Sequence, residues 1–504
     1  VKKNQISLPV ERKMSSQSNS QNIAAILDIH AETRGTHPAI LFEDTLWTYS
    51  DLANRVKCQA SVLTHNGLGH GDLVGLCMRD CADHLAAMFA LARIGAIMLP
   101  MDNRWGKDEK KRFIKHFRPK IIIIDDSEQL ENVRVFESKT FLDQSEDTDP
   151  KSAPQPLIAE DLPLLISLSS GTTGRPKGPA ITHQQMINRF INQTVTLSFD
   201  WYDRFVVATP LYFGGGRTFA LSYLYLGGTI LLFPPPYKPE DLVNAMQWFK
   251  PSSLFLVPTL LRRMLSLKDQ DLKPFNNLRI LISSGSPIFS EECAEICDRL
   301  SPNFFEYYAS TEGGGITVLA PHERAGHQTS VGRPAFRVEV QVVNNNHKPV
   351  PAGEVGKIRY RGPGVADGFF RDKDQNSDSF REGWFYPGDL GELDKDGFLS
   401  LRGRSKDMII RGGANIYPIE VEQTIAQIKG VRDVAVVGVP DKEMGEEIAA
   451  VLVAEHGITE DLILKVCKDK LASYKVPRRI KFSKDLPRNS SGKVLKSVIL
   501  ESLS

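Results

Sequence analysis

The feature that most limits the fold of this chain is a regular alternation of helix-like and strand-like segments over residues 23–150. Apolar residues recur at helical spacing in Tyr49–His65 and Cys81–Ile94, and short apolar runs such as Lys120–Asp125 lie between the helices. Strands that are separated by helices favour a parallel sheet, because the helix returns the chain to the end of the sheet at which the previous strand began. The pattern therefore predicts a doubly wound α/β unit.

A second unit of the same kind is predicted after a proline-rich loop at residues 150–163. Its strand candidates are Leu164–Leu168, Arg204–Thr209, Thr229–Phe233, Leu254–Val257 and Arg279–Ser283. From Gly332 to Leu401, short alternating runs separated by glycine are typical of a small β-barrel. We therefore predict two doubly wound α/β subdomains and a barrel in residues 23–403, after a disordered, polar lead-in at 1–22. Residues 404–504 are predicted to form a small, mobile α+β lid domain.

Charge excludes few functions. The net charge of +1 over 504 residues gives no general reason to expect nucleic acid or an anionic membrane as a partner. Residues 465–496, however, carry eleven Lys/Arg against two acids. This stretch is either a solvated surface or a lid that meets polyanions such as ATP or a phosphorylated carrier.

Targeting and metal signals are weak. The first twenty residues lack the pattern of a signal peptide, and the longest apolar stretch, Leu85–Met101, is interrupted by Arg93. We expect that stretch to form a buried helix followed by a strand, without a transmembrane segment. The six cysteines lack the spacing of a zinc site, which favours a reducing, cytoplasmic location.

The strongest chemical signal is the segment Ser169–Gly178, SSGTTGRPKG. Its glycines let the backbone bend around a ligand, and its N–H and hydroxyl groups can bind phosphate oxygens. Lys177 adds a point charge for the outer phosphates. The segment is not a Walker A loop, because Gly178 follows Lys177 where Ser or Thr is required.

This segment closely resembles the phosphate loop of the adenylate-forming superfamily, which includes acyl-CoA synthetases, nonribosomal adenylation domains and firefly-type luciferases. Segments similar to its other motifs follow in the same order across nearly the whole chain, and the type most similar is an acyl-CoA synthetase. The resemblance implies an ATP-dependent ligase with this predicted fold. It implies that ATP phosphates are bound by Ser169, Ser170, Gly171, Thr172, Thr173, Gly174 and Lys177.

The segment YYASTE resembles the family's Tyr-Gly-x-Thr-Glu motif. The resemblance implies that Tyr308 packs on adenine, that Thr311 meets the α-phosphate and that Glu312 holds Mg²⁺. A planar ring suits a purine, and a carboxylate beside phosphates needs a divalent cation between them. The nucleotide site would also include the neighbours Tyr307, Ala309 and Ser310 and the upstream turn Gly285, Ser286 and Pro287.

Two segments around residue 400 resemble the family's ribose-binding motifs. Asp389 would accept hydrogen bonds from both ribose hydroxyls, a role that suits a carboxylate. Arg404 would also reach the ribose, and Lys406 lies at the hinge position of the lid. Pro387 stands where the family usually has Thr, so a hydroxyl contact from that position is lost.

The last two motifs belong to the lid. Gly412, Gly413 and Ala414 resemble the loop that lines the family's pantetheine tunnel, where a thiol arm passes against bare backbone. Lys493 matches the family's catalytic lysine. With Thr311 and Glu312, it completes the predicted catalytic set.

The acyl pocket is predicted from three stretches that frame it in this superfamily. Its wall would be formed by Tyr212, Phe213, Gly214, Gly313 and Gly314, and the glycines are expected to leave space. This favours an apolar aryl or medium-chain acid. No acidic residue stands in 209–217 to bind an amino group, so an amino-acid substrate is disfavoured. Arg217 is expected to point outward; pointing inward, it could pair with a second carboxylate.

The implied reaction has two steps: ATP and Mg²⁺ convert an acid to an acyl-adenylate with release of pyrophosphate, and a thiol then takes the acyl group. Coenzyme A is the predicted acceptor, and a separate acyl carrier protein is the alternative, since no carrier domain is included. A non-catalytic nucleotide-binding homologue and a luciferase-like oxygenase are further alternatives. No nucleic-acid partner is expected.

Overall fold

The computed structural model describes residues 22–125, 130–158, 163–168, 176–488 and 493–503, with the side chains of 373–375 left aside. The α-helices of these ranges are α1 (Ala25–Arg34), α2 (Tyr49–His65), α3 (Ala82–Arg93), α4 (Lys107–Phe117), α5 (Ser138–Glu146), α6 (His183–Leu197), α7 (Gly214–Leu226), α8 (Pro239–Phe249), α9 (Pro258–Leu265), α10 (Ser290–Arg299), α11 (Lys373–Ser379), α12 (Pro418–Ala426), α13 (Glu460–Lys470) and α14 (Lys496–Leu503).

The strands divide the chain into a long N-terminal and a shorter C-terminal region. The first part contains β1 (Pro38–Phe42), β2 (Thr45–Thr48), β3 (Leu73–Cys77), β4 (Ile97–Pro100), β5 (Ile121–Ile124), β6 (Arg134–Glu137), β7 (Pro163–Ile166), β8 (Ala180–Thr182), β9 (Arg204–Val207), β10 (Thr229–Leu232), β11 (Ser253–Phe255), β12 (Ile280–Ser283), β13 (Phe304–Ser310), β14 (Gly314–Leu319) and β15 (Arg333–Pro334). The rest contains β16 (Glu339–Val343), β17 (Gly356–Arg361), β18 (Phe380–Arg381), β19 (Trp384–Phe385), β20 (Asp389–Leu393), β21 (Leu399–Arg404), β22 (Ile409–Arg411), β23 (Ala414–Ile416), β24 (Val431–Asp441), β25 (Gly445–Ala454) and β26 (Arg479–Phe482).

Two mixed sheets form the N-terminal part. One has the order β15-β14-β13-β12-β11-β9-β10-β1-β2, and the other has the order β6-β5-β3-β4-β7-β8. Their central strands are parallel, as predicted. Three of the four edge strands, β2, β15 and β8, pair antiparallel, whereas the edge strand β6 pairs in parallel with β5. Short connections such as the two residues between β1 and β2 suffice for an antiparallel hairpin.

One continuous core joins these two sheets. It contains residues of α2, α3, α6 and α7 together with residues of β1, β3, β4, β9 and β10. Helix α3 is buried along almost its whole length and leads into the buried strand β4. This confirms the prediction for the apolar stretch around residue 93. Among the described helices, none has the length and apolarity that a bilayer crossing requires.

Local capping sets where the central helices begin. Helix α2 starts directly after Thr48, whose side chain accepts from the backbone N–H of Asp51 while Asp51 accepts from the Thr48 backbone. Thr182 and Gln185 form the same reciprocal cap before α6. Such caps satisfy N–H groups that have no partner inside the helix.

The region predicted as a small β-barrel folds as a six-stranded antiparallel sheet, β18-β19-β17-β20-β21 with β16 beside β17. It has its own core, which includes Tyr360 and Phe385. The C-terminal region forms a further sheet, β23-β22-β25-β24 with β26 beside β25, packed on α12 and α13. Phe289, which precedes α10, packs against this C-terminal core and joins the two regions.

Asn22 does not follow the prediction of a disordered lead-in. Residues 1–21 of the predicted lead-in lie outside the described ranges, but Asn22 is buried. Its amide donates to the carbonyl oxygens of Ala92 and Leu157 at 2.7 and 2.8 Å. The prediction of disorder is therefore wrong for Asn22, because contacts distant in sequence hold it. The boundary at 403–404 stays a prediction.

Candidate active site

Strand β13 separates its two tyrosines. Alternate side chains of a strand point to opposite faces. Tyr307 is buried in the main core, where its hydroxyl donates to Asn192 Oδ1 at 3.4 Å. Tyr308 faces the other way, and its hydroxyl donates to Asp389 Oδ2 at 2.5 Å. Burial, followed by the charge of Asp389, raises the pKa of Tyr308 well above its usual value, so this phenol remains a donor.

The predicted ribose-binding pair lies beside Tyr308. Asp389 and Arg404 face each other across β20 and β21, and Arg404 Nε lies 2.9 Å from Asp389 Oδ1. The carboxylate is therefore held from two directions, by a phenol of one sheet and a guanidinium of another. This preorganises an acceptor for hydroxyl groups at the point where the two sheets meet.

Lys493 reaches the same place from the far end of the chain. The residue keeps exposed surface, yet desolvation of its ammonium, followed by the charge of Arg404, lowers its pKa. The carboxylates of Asp389 and Asp407 act in the opposite direction, and Lys406 adds to the lowering. These interactions place Lys493 among the predicted nucleotide-binding residues.

Lys406 extends this group toward the predicted phosphate loop. Its pKa is lowered by desolvation, and the charges of Arg404 and Lys177 add to the effect while Asp407 opposes it. Lys406 thus interacts with both Lys177 and Arg404, and Lys493 interacts with Arg404 and Lys406. Mutually repelling cations in one cleft form a site for a polyanion.

An alkaline limb in the rate follows from the lowered pKa of Lys493. Its ammonium must be protonated to neutralise the reacting anions, so activity is lost as the pH rises through its pKa. We expect kcat/KM for ATP in adenylation to fall with an apparent pKa below the ordinary 10.5. Pyrophosphate exchange measured against pH tests this, with circular dichroism as a check on folding. A profile that stays flat up to pH 10.5 would contradict the assignment.

The structure describes only part of the segment that is predicted to bind phosphate. Ser169, Ser170, Gly171, Thr172, Thr173 and Gly174 lie outside the described residues. On one flank, Ser167 N donates to Pro179 O at 3.2 Å. On the other, Gly178 O accepts from Phe370 N at 2.9 Å, close to Lys177. Backbone bonds therefore hold both ends of the predicted loop.

Thr311 and Glu312 lie in the turn between β13 and β14. Burial raises the pKa of Glu312, while the charges of Arg189 and Arg404 act against that rise. Among the described residues the Glu312 carboxylate forms no ion pair, and no cluster of three metal-binding side chains occurs. A single carboxylate suits Mg²⁺, which fills its other positions with phosphate oxygens and water.

The adenine-side residues surround this turn. Ser310 Oγ accepts from Gly313 N at 2.9 Å and bonds to the Tyr360 hydroxyl, so Ser310 closes the turn. Ala309 packs partly against the main core. The upstream turn Gly285, Ser286 and Pro287 directly follows β12, the neighbour of β13 in the sheet. Gly285 has φ +107°, a conformation that favours glycine.

The predicted acyl wall is aromatic on one side. Phe213 precedes α7, and a Cβ added to Gly215 would lie 2.7 Å from Phe255 Cε1 and 3.0 Å from Phe213 Cε1. Gly214 faces open space, as predicted. Tyr212 lies beside these residues, and its hydroxyl accepts from Arg104 Nη2 at 3.1 Å.

The prediction that Gly313 and Gly314 leave space is wrong. A Cβ on Gly313 would overlap the ring of Tyr360, and one on Gly314, which has φ +72°, would lie 3.1 Å from Arg189 Cγ. The neighbouring Gly315 is covered by the Tyr307 hydroxyl in the same way. These positions need glycine because large side chains of other residues pack against them.

The covered Gly313 and the open Gly214 predict different effects of an alanine substitution. Gly313→Ala forces the Tyr360 ring to move, and overpacking of this kind costs about 1–3 kcal/mol of stability. Gly214→Ala should leave the melting temperature unchanged but lower kcat/KM for a bulky acid about tenfold, since one methyl enters the pocket. Thermal melts and acid titrations of both variants test this. An equal loss of stability in both would contradict it.

The expectation that Arg217 points outward is also wrong. Arg217 is 1% exposed. Its guanidinium donates to Leu211 O, Tyr212 O and Ser167 Oγ at 3.2, 2.7 and 2.8 Å. It therefore supports the backbone of the acyl wall from within.

The predicted thiol-tunnel residues lie apart from this cluster. Gly412 and Gly413, with φ +55° and +81°, form the exposed turn between β22 and β23, and Ala414 pairs with Arg411. Positive φ at both turn positions suits a two-residue hairpin loop. Among the described contacts, those of this turn stay within the C-terminal region, such as Gly412 N to Met444 O at 2.8 Å.

Two residues at the site were not predicted. Arg189 donates to the backbone carbonyls of Thr311 and Glu312, and Asp80 Oδ2 accepts from Leu211 N in the acyl wall at 3.1 Å. Arg189 follows Met186 by three residues on the buried face of α6, which is a signal that sequence alone contains. Asp80 lies in a loop and carries no comparable signal.

Known proteins share this organisation. Residues 27–370 match the family model described as AMP-binding enzyme, and residues 420–493 match its C-terminal domain. A feruloyl-CoA synthase from an Amycolatopsis species is 32% identical over 92% of this chain and 95% of its own length.

Two solved structures are similar along nearly their whole length. ATP-bound MatB from Rhodopseudomonas palustris is 28% identical with a TM-score of 0.89, covering 96% of this chain and 99% of its own. O-succinylbenzoate coenzyme A synthetase (MenE) from Bacillus subtilis, in complex with ATP and magnesium ion, is 25% identical with a TM-score of 0.84, covering 95% and 99%. With the family match over most of its length, this chain belongs to the AMP-binding enzymes.

Proposed function

We propose that this chain is an AMP-forming acid–CoA ligase. It activates a carboxylic acid with ATP and Mg²⁺ to an acyl-adenylate, releases pyrophosphate and transfers the acyl group to coenzyme A. Family membership and the feruloyl-CoA synthase relative support this reaction class. A separate acyl carrier protein stays the alternative acceptor, and the basic 465–496 stretch suits it and coenzyme A equally.

The observation that carries the proposal is the position of Lys493. Its charge interacts with those of Asp389 and Arg404, which lie more than eighty residues earlier in the chain. A lysine of the C-terminal region beside a preorganised ribose acceptor is the arrangement that adenylation needs. Both reactants are anions, so the protein must mainly neutralise and align them.

The first half-reaction uses the described residues as follows. Lys493 bridges the attacking carboxylate and the α-phosphate, while Lys177 neutralises the outer phosphates. Asp389 and Arg404 hold the ribose. Glu312 would hold Mg²⁺, which supplies charge neutralisation on the leaving phosphates when bound.

The second half-reaction requires the lid to turn. Lys493 leaves, and the turn at Gly412 and Gly413 arrives to guide the thiol of coenzyme A. Conformational steps of this kind commonly separate half-reactions. We infer that Lys406 lies at the hinge, in the segment between β21 and β22.

We further propose an acid with an apolar body, aryl or medium-chain. Phe213 and Phe255 offer an aromatic wall, and the space at Gly214 can receive a bulky group. The 209–217 stretch contains no carboxylate that would bind an ammonium group.

A panel of carboxylic acids tests the proposal. Aryl, medium-chain and amino acids are each incubated with ATP and Mg²⁺, with coenzyme A, with a holo acyl carrier protein or with neither. Acid-dependent pyrophosphate release without a thiol and a thioester only with coenzyme A are expected. ATP binding without any acid-dependent release would instead indicate a non-catalytic homologue.

A further inference from the structure

Two buried arginines lie behind the candidate site without a carboxylate partner. Arg189 on α6 is 5% exposed, and Arg217 on α7 is 1% exposed. Buried cations are normally paired, as Arg93 is with Asp28 at 2.8 Å. Among the described residues, neither Arg189 nor Arg217 forms an ion pair.

Among the described residues, the hydrogen bonds of the Arg189 guanidinium all go to backbone carbonyls. It donates to Thr311 O at 3.2 Å, to Glu312 O at 2.6 Å and to Gly364 O at 2.7 Å. Glu312 O also accepts from Ala366 N at 2.8 Å. One guanidinium thus joins the turn that carries the predicted magnesium ligand to the neighbouring 362–366 segment.

Arg217 fixes a different part of the same site. It bonds to the carbonyls of Leu211 and Tyr212 in the acyl wall and to Ser167, two residues before the predicted phosphate loop. Its Nε–H is buried and has no acceptor among the described residues. Its positive charge is therefore not compensated locally.

The two charges are close enough to interact. Burial, followed by the charge of Arg189, lowers the pKa of Arg217 to about 9, and Arg189 also interacts with the Glu312 carboxylate. Both remain protonated at neutral pH. Their joint field in a low-dielectric interior is felt over a longer range than that of exposed lysines.

We propose that Arg189 and Arg217 are positioning residues for adenylation. Arg189 holds the Thr311–Glu312 turn, and Arg217 holds the acyl wall and Ser167, which precedes the predicted phosphate loop. The charge of Arg217, which has no carboxylate partner among the described residues, favours the ATP polyphosphate. The proposal rests on the proposed function for its catalytic part. The expected effect on ATP affinity can be measured without turnover.

The test uses Arg189→Met, Arg189→Lys, Arg217→Met and Arg217→Lys in the full chain. ATP·Mg²⁺ affinity is measured by calorimetry without acid, and kcat and KM by pyrophosphate exchange. We expect the Met variants to bind ATP about tenfold more weakly, because charge and bonds are both lost. The Lys variants should lose about tenfold in kcat, because one ammonium cannot replace the bonds that the guanidinium makes to several carbonyls.

Arg93→Met is the matched control. It removes an equally buried arginine whose partners are Asp28 and Pro154 O, so it should lower the melting temperature and leave ATP affinity within twofold. Equal ATP affinity in the wild type and the Met variants would overturn the proposal. A loss of ATP affinity in Arg93→Met as large as that in Arg189→Met and Arg217→Met would also overturn it. Should the Met variants fail to fold, the Lys variants decide: an unchanged kcat overturns the positioning role. A wild type that binds ATP but shows no exchange would refute the proposed function and leave the binding measurement valid.

Discussion

Replacing Lys493 with alanine lowers the rate of adenylation by about 10²–10³, the cost of one preorganised contact to developing charge. Lys493 is the cation from the C-terminal region that interacts with both Asp389 and Arg404. Without it, the attacking carboxylate and the α-phosphate repel each other. Acid-dependent pyrophosphate exchange measures the loss.

The control for this variant comes from the same region. Lys496 lies outside the motif, but its ammonium donates to Glu422 Oε1 and Val436 O at 2.8 and 2.9 Å. Its loss would destabilise the lid. Lys442 is exposed in the β24–β25 hairpin, and Lys442→Ala should leave exchange unchanged. Losses of similar size in Lys493→Ala and Lys442→Ala would reject the catalytic role.

Replacing Gly413 with asparagine should leave adenylation near the wild-type rate and slow thioester formation by about 10²-fold, the effect of a small misplacement at a reacting group. Gly413 has φ +81° and no atom within 4 Å of an added Cβ. Asparagine tolerates this left-handed conformation better than other residues with a side chain. The side chain therefore obstructs the thiol path without unfolding the hairpin.

Gly457→Asn is the matched control, because Gly457 has φ +106°, open space and a position in another turn of the same region. It should change neither half-reaction. Single-turnover measurements separate pyrophosphate release from thioester formation. If Gly413→Asn lowers both rates together, the hairpin does not act after a lid movement.

Much of the fold was accessible from the sequence. Helix α2 has the predicted bounds, and the predicted centres of β5, β9, β10 and β12 are strands. Their periodicity is local and strong, so neighbours along the chain contain the signal. The prediction of the adenylate-forming family is confirmed. The roles given to individual site residues stay predictions.

The wrong predictions concern residues whose surroundings are set by packing between distant segments of the chain. Three glycines in a row show that side chains are missing, but not whether a ligand or the Tyr360 ring fills the space beside Gly313. Arg217 was expected at the surface because charged residues are usually exposed. Carbonyls of the acyl wall and Ser167, fifty residues away, provide the bonds that keep it inside.

The sequence by itself determined the α/β class, the order of the motifs and the chemistry that their residue types permit. Only the tertiary structure decided that the charge of Lys493 reaches Asp389, that Tyr307 lies in the main core, and that two arginines without an ion pair among the described residues lie behind the site. The reason is physical. Periodicity and turn chemistry depend on neighbours along the chain, whereas burial and charge compensation depend on which distant surfaces meet.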